Sequence, residues 1–174
     1  MSRNIVTASK RTRVSNAVVA GTSAINTTIL DMQGFESVIG ECCLGTLTAT
    51  QTTALKAQAG NVANGSDMAD LAGAVTPNAA DADSNKVLVL EVVKPTNFRY
   101  VRFVVVRGTA NAVIDSVVAT QFCSHKQPES DDPATVSKTL LSIDPEYANA
   151  ALTVTTTTYP GTTTAVTSTS RTSS

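Results

Sequence analysis

An all-β fold, a single antiparallel β-sandwich or jelly-roll-like domain with extended N- and C-terminal arms, is what the sequence predicts, and three observations predict it. β-Branched and aliphatic residues gather in runs such as KVLVLEVVK (86–94), RYVRFVVVRG (99–108) and AVIDSVVATQF (112–122), which suit a pleated, half-buried surface. Gly34, Gly40 and Gly45 punctuate the apolar residues between 25 and 51 in the rhythm of strands and turns. A chain of 174 residues and 18.0 kDa has room for one domain with a real core plus arms, and not for two full domains. The boundaries that follow are a basic arm at 1–15, a β-domain at 16–126, and a linker with a Thr-rich arm at 127–174.

Taken in order, the first apolar segment places Phe35, Ser37, Ile39, Glu41 and Cys43 on one face of a strand. Glu36, Val38, Gly40, Cys42 and Leu44 take the other. Neither face is cleanly apolar, which predicts cover on both sides. TTALKAQAG (52–60) reads equally as a short helix, from the propensity of Ala, Leu, Lys and Gln, or as a strand among β-rich neighbours. Residues 60–85 hold no sustained period and predict a long loop, with one short strand or turn at ADLAGAV.

KVLVLEVVK, ended by Pro95 and carrying Glu91 as its one acidic group, predicts a strand buried on both faces. In the next run Tyr100, Arg102, Val104 and Val106 alternate with Val101, Phe103, Val105 and Arg107. GTANA then supplies a turn into VIDSVVATQF, so the pair reads as a hairpin at the centre of the domain. Beyond Phe122, Pro128 and Pro133 bracket an acidic Ser/Asp stretch that reads as a linker. The tail ALTVTTTTYPGTTTAVTSTSRTSS has β propensity but little apolar area, which predicts an extended segment in solvent or laid on a partner.

Charge narrows the function classes. Thirteen Lys and Arg against fourteen Asp and Glu give a net charge of −1, without the basic excess that binding phosphates requires. The charged fraction, 16%, is well below the roughly 25% of ordinary domains, and describes a surface suited to contact with other proteins. MSRNIVTASKRTR is followed by no apolar stretch of a secretory signal, and no run approaches the roughly 18 apolar residues of a membrane span. Synthesis in a cytoplasm, with neither membrane nor nucleic acid as partner, is the expectation. Cys42, Cys43 and Cys123 make an odd count with two adjacent, a poor disulfide framework, and read as reduced thiols.

Candidate chemistry is thin. Asp81, Asp83 and Asn85 open like a calcium loop, but Lys86 stands where the turn needs Gly and Val92 where a bidentate Glu belongs. A solvated loop is the simpler reading. Cys123 and His125 share one side of an extended chain with no third group to orient them, which argues against a nucleophile. Structural zinc would require Cys42, Cys43, Cys123 and His125 to converge. No phosphate-cradling or nucleotide-binding glycine motif is present. No catalytic residue, metal or cofactor is expected. The partner-binding candidates are the cations of the N-terminal arm, Arg3, Lys10, Arg11 and Arg13.

DMQGFESVIG, followed by DADSNKVLVLEVVKPTNFRYVRFVVVRGTANAVIDSVVATQF, resembles a group of small virion-associated proteins of tailed bacteriophages encoded among head genes. The resemblance covers residues 30–125. It rests on the Asp-rich turn, the Lys94–Pro95 step, and RYVR leading into RGTANAVID. It implies a β-rich, non-enzymatic capsid accessory protein: a cement or decoration protein, favoured as a homotrimer, that clamps neighbouring major capsid subunits in the virion. The alternatives are a neck, adaptor or head-fibre base protein, or a receptor- or glycan-binding β-module, the last disfavoured by the lack of Trp.

Overall fold

The structure, a computed structural model, describes residues 8–94, 97–123 and 125, and the backbone of three further strands at 137–141, 152–158 and 162–168. Two antiparallel sheets face each other as a β-sandwich. The first contains β1 (Lys10–Ser15), β2 (Val18–Gly21), β5 (Ser37–Leu47), β8 (Val87–Val93) and β10 (Ala112–Phe122). Its order is β1-β10-β5-β8, with β2 also pairing β10. The second contains β3 (Ile25–Asn26), β4 (Leu30–Asp31), β6 (Thr52–Gly60), β7 (Ala69–Val75) and β9 (Tyr100–Gly108). It is ordered β3-β9-β6-β7, with β4 also pairing β9.

In the C-terminal part β11 (Ser137–Leu141), β12 (Leu152–Thr158) and β13 (Thr162–Ser168) pair with one another in a third antiparallel sheet. The linker at 127–136 and the arm residue Arg3 lie outside the described residues.

Several expectations are corrected. β9 and β10 do not form a hairpin: β9 pairs β6, β3 and β4, whereas β10 pairs β5, β1 and β2. The segment after Gly108, with Thr109 at a φ of 64°, carries the chain from one sheet to the other. Alternating apolar residues mark a strand but do not say in which layer its neighbours lie. Two readings left open resolve to strands: residues 52–60 are strand β6 and not a helix, and ADLAGAV is the short strand β7. Lys10–Ser15 is part of the first sheet, register-paired with Val117–Gln121 of β10, so most of the basic cluster stands on a strand and not in an arm.

The core lies between the sheets. Val38, Cys42 and Leu44 of β5 and Ile114 and Val117 of β10 meet Leu55 of β6 and Val101, Phe103 and Val105 of β9, all buried. β5 thus has one truly interior face, and Ile39, Glu41 and Cys43 on its other face are half-exposed. Cys42 is a buried thiol, and burial pushes its pKa up to about 12, so it stays protonated at neutral pH.

Phe103 reaches across the sandwich to Gly40: a Cβ at position 40 would meet the ring at 2.6 Å. Small residues surround the ring, since Ala57 is its cross-strand neighbour and Ala119 is that of Gly40. At the end of the sandwich where β10 begins, Arg107 is 9% exposed and donates to three carbonyls. Nε serves Ser23 at 2.8 Å, and Nη1 serves Val19 at 3.0 Å and Ala112 at 2.9 Å. One side chain thereby ties β2, the approach to β3 and the start of β10 together, satisfying acceptors that would otherwise be left without partners.

Gly40→Ala is expected to destabilise the fold by about 1–3 kcal/mol through overpacking. Combined with Phe103→Leu it should cost less than the sum of the two single changes, because both act on one contact. Equilibrium urea denaturation of the four proteins of this double-mutant cycle measures both effects.

Candidate interaction surface

The four outer strand positions of the sandwich differ in how they end. β1 and β2 are interrupted, and the exposed cations Arg11 and Arg13 stand on β1. β3 and β4 are two residues each, separated where Thr27 bonds Phe103 through backbone N–H to carbonyl at 3.0 Å. β7 has an irregular register between Lys56 and Gln58, a positive-φ Gly73, and Asp70 held by Lys56 and Gln58. Short strands, charges and bulges are the usual ways in which a sheet edge is kept from pairing with another chain.

β8 is different. Its seven residues pair β5 without a break, from Ser37↔Val93 to Cys43↔Val87. The expectation that this run is buried on both faces is corrected: Leu88, Leu90 and Val92 point inward, whereas Val87, Val89 and Val93 are 51%, 55% and 73% exposed. A continuous aliphatic run looks the same in a central strand and in an edge strand whose outer row is apolar.

The register extends this row over the outer face of the first sheet. Val93, Ser37 and Phe122 lie abreast, then Glu91, Ile39, Thr120 and Arg11, then Val89, Glu41, Val118 and Arg13, then Val87, Cys43 and Ser116. Ile39, Cys43, Val118 and Phe122 are half-exposed. The result is an apolar band with two carboxylates near the β8 side and two guanidinium groups near the β1 side. Of the predicted partner-binding cations, Lys10, Arg11 and Arg13 are therefore brought to this sheet, and Arg11 and Arg13 share a face with the valine row.

At one end of β8 lies a polar cleft of about 320 Å³ lined by Gln33, Asn61, Lys94, Asn97, Phe98 and Arg99. Its walls are braced internally. Asp31 accepts from Arg99 Nε at 3.0 Å and Nη2 at 2.6 Å, Asn61 Nδ2 donates to the Asn97 carbonyl at 3.0 Å, and Asn61 Oδ1 accepts from Arg99 N–H at 3.1 Å. The guanidinium also lies 5.2 Å from the Tyr100 ring centre.

The other candidates resolve into structural roles. Asp81 accepts from Thr50 N–H through both oxygens, and Asp83 accepts from Ala80 N–H at 2.8 Å and pairs with Lys86 at 2.8 Å. Ser84 Oγ accepts from Leu47 N–H at 3.0 Å. The DADSN segment thus anchors the approach to β8 against β5 and the turn that follows it. Among the described residues no three metal-ligating side chains converge. Cys43 lies across from Ser116 near the middle of β10, and Cys123 just past its end, seven residues or about 23 Å along the strand, too far for one tetrahedral zinc. His125 turns its Nε2 to Glu36 Oε1 at 2.8 Å, both exposed, and Cys123 sits at a positive φ of 55°. The unbroken apolar edge was not found by sequence reasoning. Its signal was that the face shared by Val87, Val89, Glu91 and Val93 carries three valines and a single charge.

Fold and surface together define an antiparallel β-sandwich with one unprotected edge among the described residues. No protein-family model and no curated protein matches the chain. Among solved structures it is similar to the SPBc2 prophage-derived protein YomS, at 15% identity and a TM-score of 0.38, covering 65% of this chain and 93% of that one. It is also similar to the PBSX exported protein XepA, at 16% identity and a TM-score of 0.46, covering 87% of this chain. This chain spans just over half of XepA, 56% of its length.

The acids of the sandwich rim set its response to pH. Asp31 is held below the usual carboxylate range chiefly by Arg99, Asp67 by the backbone N–H groups of Asn61 and Val62, Asp70 by Lys56 and Gln58, and Asp83 by Lys86 and the Ala80 N–H. The unfolded chain takes up these protons near pH 4, whereas the fold does so only at lower pH. Stability from these groups is therefore full above about pH 5 and lost as pH falls below about 4. Thermal melts between pH 2 and 7 should show that decline, and Asp31→Asn should flatten it. Because the lysine and arginine pairs are exposed, 1 M NaCl should weaken their share.

Proposed function

We propose that the chain is a non-enzymatic structural protein of a virion, made in the host cytoplasm, that acts as a cement or decoration protein by clamping neighbouring major capsid subunits. The observation that carries the reading is the exposed valine row of β8, continuous with the apolar band on the outer face of the first sheet. A soluble monomer gains nothing from such a band, whereas a subunit of a shell buries it against its neighbours. Each Å² of apolar surface so covered contributes on the order of 25 cal/mol, and repeated contacts around a shell turn modest interfaces into durable attachment.

Three further features support it. The sandwich is braced throughout, by Arg107 at one end and the Asp31–Arg99 pair near the other. Of the functional groups that sequence inspection raised, Asp81, Asp83 and His125 are bonded within the fold and Cys42 is buried. Residues 30–125, which carry the resemblance to virion-associated proteins, contain both the edge strand and its supports.

Quantitative mass spectrometry of purified particles tests the proposal. Hundreds of copies, in simple proportion to the major capsid protein, is the expected result. A dozen or fewer would move the protein to the neck, an adaptor or a head-fibre base, and complete absence from particles would overturn the virion role.

A further inference from the structure

The hydrogen-bond pattern of β8 shows what its free edge offers. Leu44 N–H donates to the Lys86 carbonyl at 2.8 Å, and Lys94 N–H to the Glu36 carbonyl at 2.7 Å. In an antiparallel ladder the bonded pairs alternate, so the even-numbered residues of β8 turn their backbone groups to β5. Val87, Val89, Glu91 and Val93 turn theirs to the open edge, and among the described residues β8 has no strand partner besides β5.

The residues from Lys86 to Lys94 are nearly the same read in either direction about Leu90. Lysine ends both sides, Val87 answers Val93, Leu88 answers Val92, and Val89 answers Glu91. An isologous contact requires a surface that complements itself, and a strand of this pattern does so when it meets a second copy antiparallel.

We infer that β8 pairs antiparallel with β8 of a second copy of this chain across a two-fold axis at Leu90, joining two sandwiches into one continuous sheet. Val87 then lies opposite Val93 of the second copy and Val89 opposite its Glu91, and the outward-turned backbone groups exchange roughly eight hydrogen bonds. The register carries one charge cost, since Lys94 of the second copy arrives opposite Lys86, and Asp83, 2.8 Å from Lys86 with a third of its side chain exposed, stands where it offsets part of that repulsion. Val87 and Val93 of the two copies become directly opposed cross-strand neighbours, the arrangement in which β-branched pairs stabilise a sheet.

The contact area sets the strength. One edge strand per copy covers less than the roughly 800 Å² per partner of a standard stable interface, so the association is concentration-dependent and strengthens when copies are held close on a particle. An isologous contact closes at two copies, and a trimer would have to be built through another surface. The inference stands on the edge strand alone and does not require the virion reading.

Sedimentation velocity of the full chain from 1 to 300 µM, with amide exchange followed residue by residue, tests it. The expected result is a monomer–dimer equilibrium with slowed exchange at Val87, Val89, Glu91 and Val93 as concentration rises. Val89→Lys should weaken dimerisation at least tenfold. Val19→Lys, at an 83% exposed valine on β2, should leave it unchanged, and unaltered circular dichroism would show that both variants fold. A monomer throughout, a closed ring of three or more copies, or a dimer whose four odd-numbered amides exchange as fast as in the monomer would overturn the inference.

Discussion

The contact of Phe103 with Gly40 is the constraint on which the sandwich depends. A ring from one sheet presses on the backbone of the other, at the one position of β5 where any side chain would obstruct it. Ala57 and Ala119 complete the socket, so the two sheets interlock through one large group and three small ones. Close packing of this kind fixes the relative placement of layers, because an interior at crystal-like density has no slack to absorb a slide. With β5 fixed over β9, the strands that flank each of them are placed as well, and β8 and β7 fall on the same side of the molecule.

That arrangement turns local chemistry into a directional surface. The interior row of β8, Leu88, Leu90 and Val92, holds the strand to the core, and its alternation commits Val87, Val89, Glu91 and Val93 to the outside. Ser37 Oγ donates to Glu91 Oε1 at 3.0 Å, so the only charge of the outer row is drawn sideways toward β5 and away from the open edge. The DADSN segment holds the entry of the strand through Ser84 and Asp83, and Lys94 N–H holds its exit. An edge strand secured at both ends is a stiff template, and stiffness lowers the ordering cost that a contact must overcome.

The strands were largely legible in the sequence because alternation and β-branching report on the backbone's own environment. Their partners were not. β9 and β10 are joined by a short Gly-containing turn and alternate cleanly, yet they lie in different sheets, and the buried guanidinium of Arg107 ties carbonyls from three separate segments at that corner. A lone Arg in a strand reads as a surface residue, and nothing local says that it will be enclosed. The same limit applies to Lys10–Ser15, where cations outnumber apolar groups but Thr12 and Val14 point into the protein. Half of such a strand is enough to hold it in a sheet.

The candidate surface was hidden for a related reason. Burial on both faces and exposure of one apolar face leave the same sequence, and only the order of strands separates them. Once β8 is known to be last in its sheet, the same valines that argued for the deepest strand mark the most exposed apolar row of the sandwich. The other outer strands carry the devices that protect an edge, a bulge and Gly73 on β7 and two-residue lengths on β3 and β4. A sequence that protects three edges and leaves the fourth regular, apolar and anchored distinguishes the fourth from a general tolerance of exposed strands.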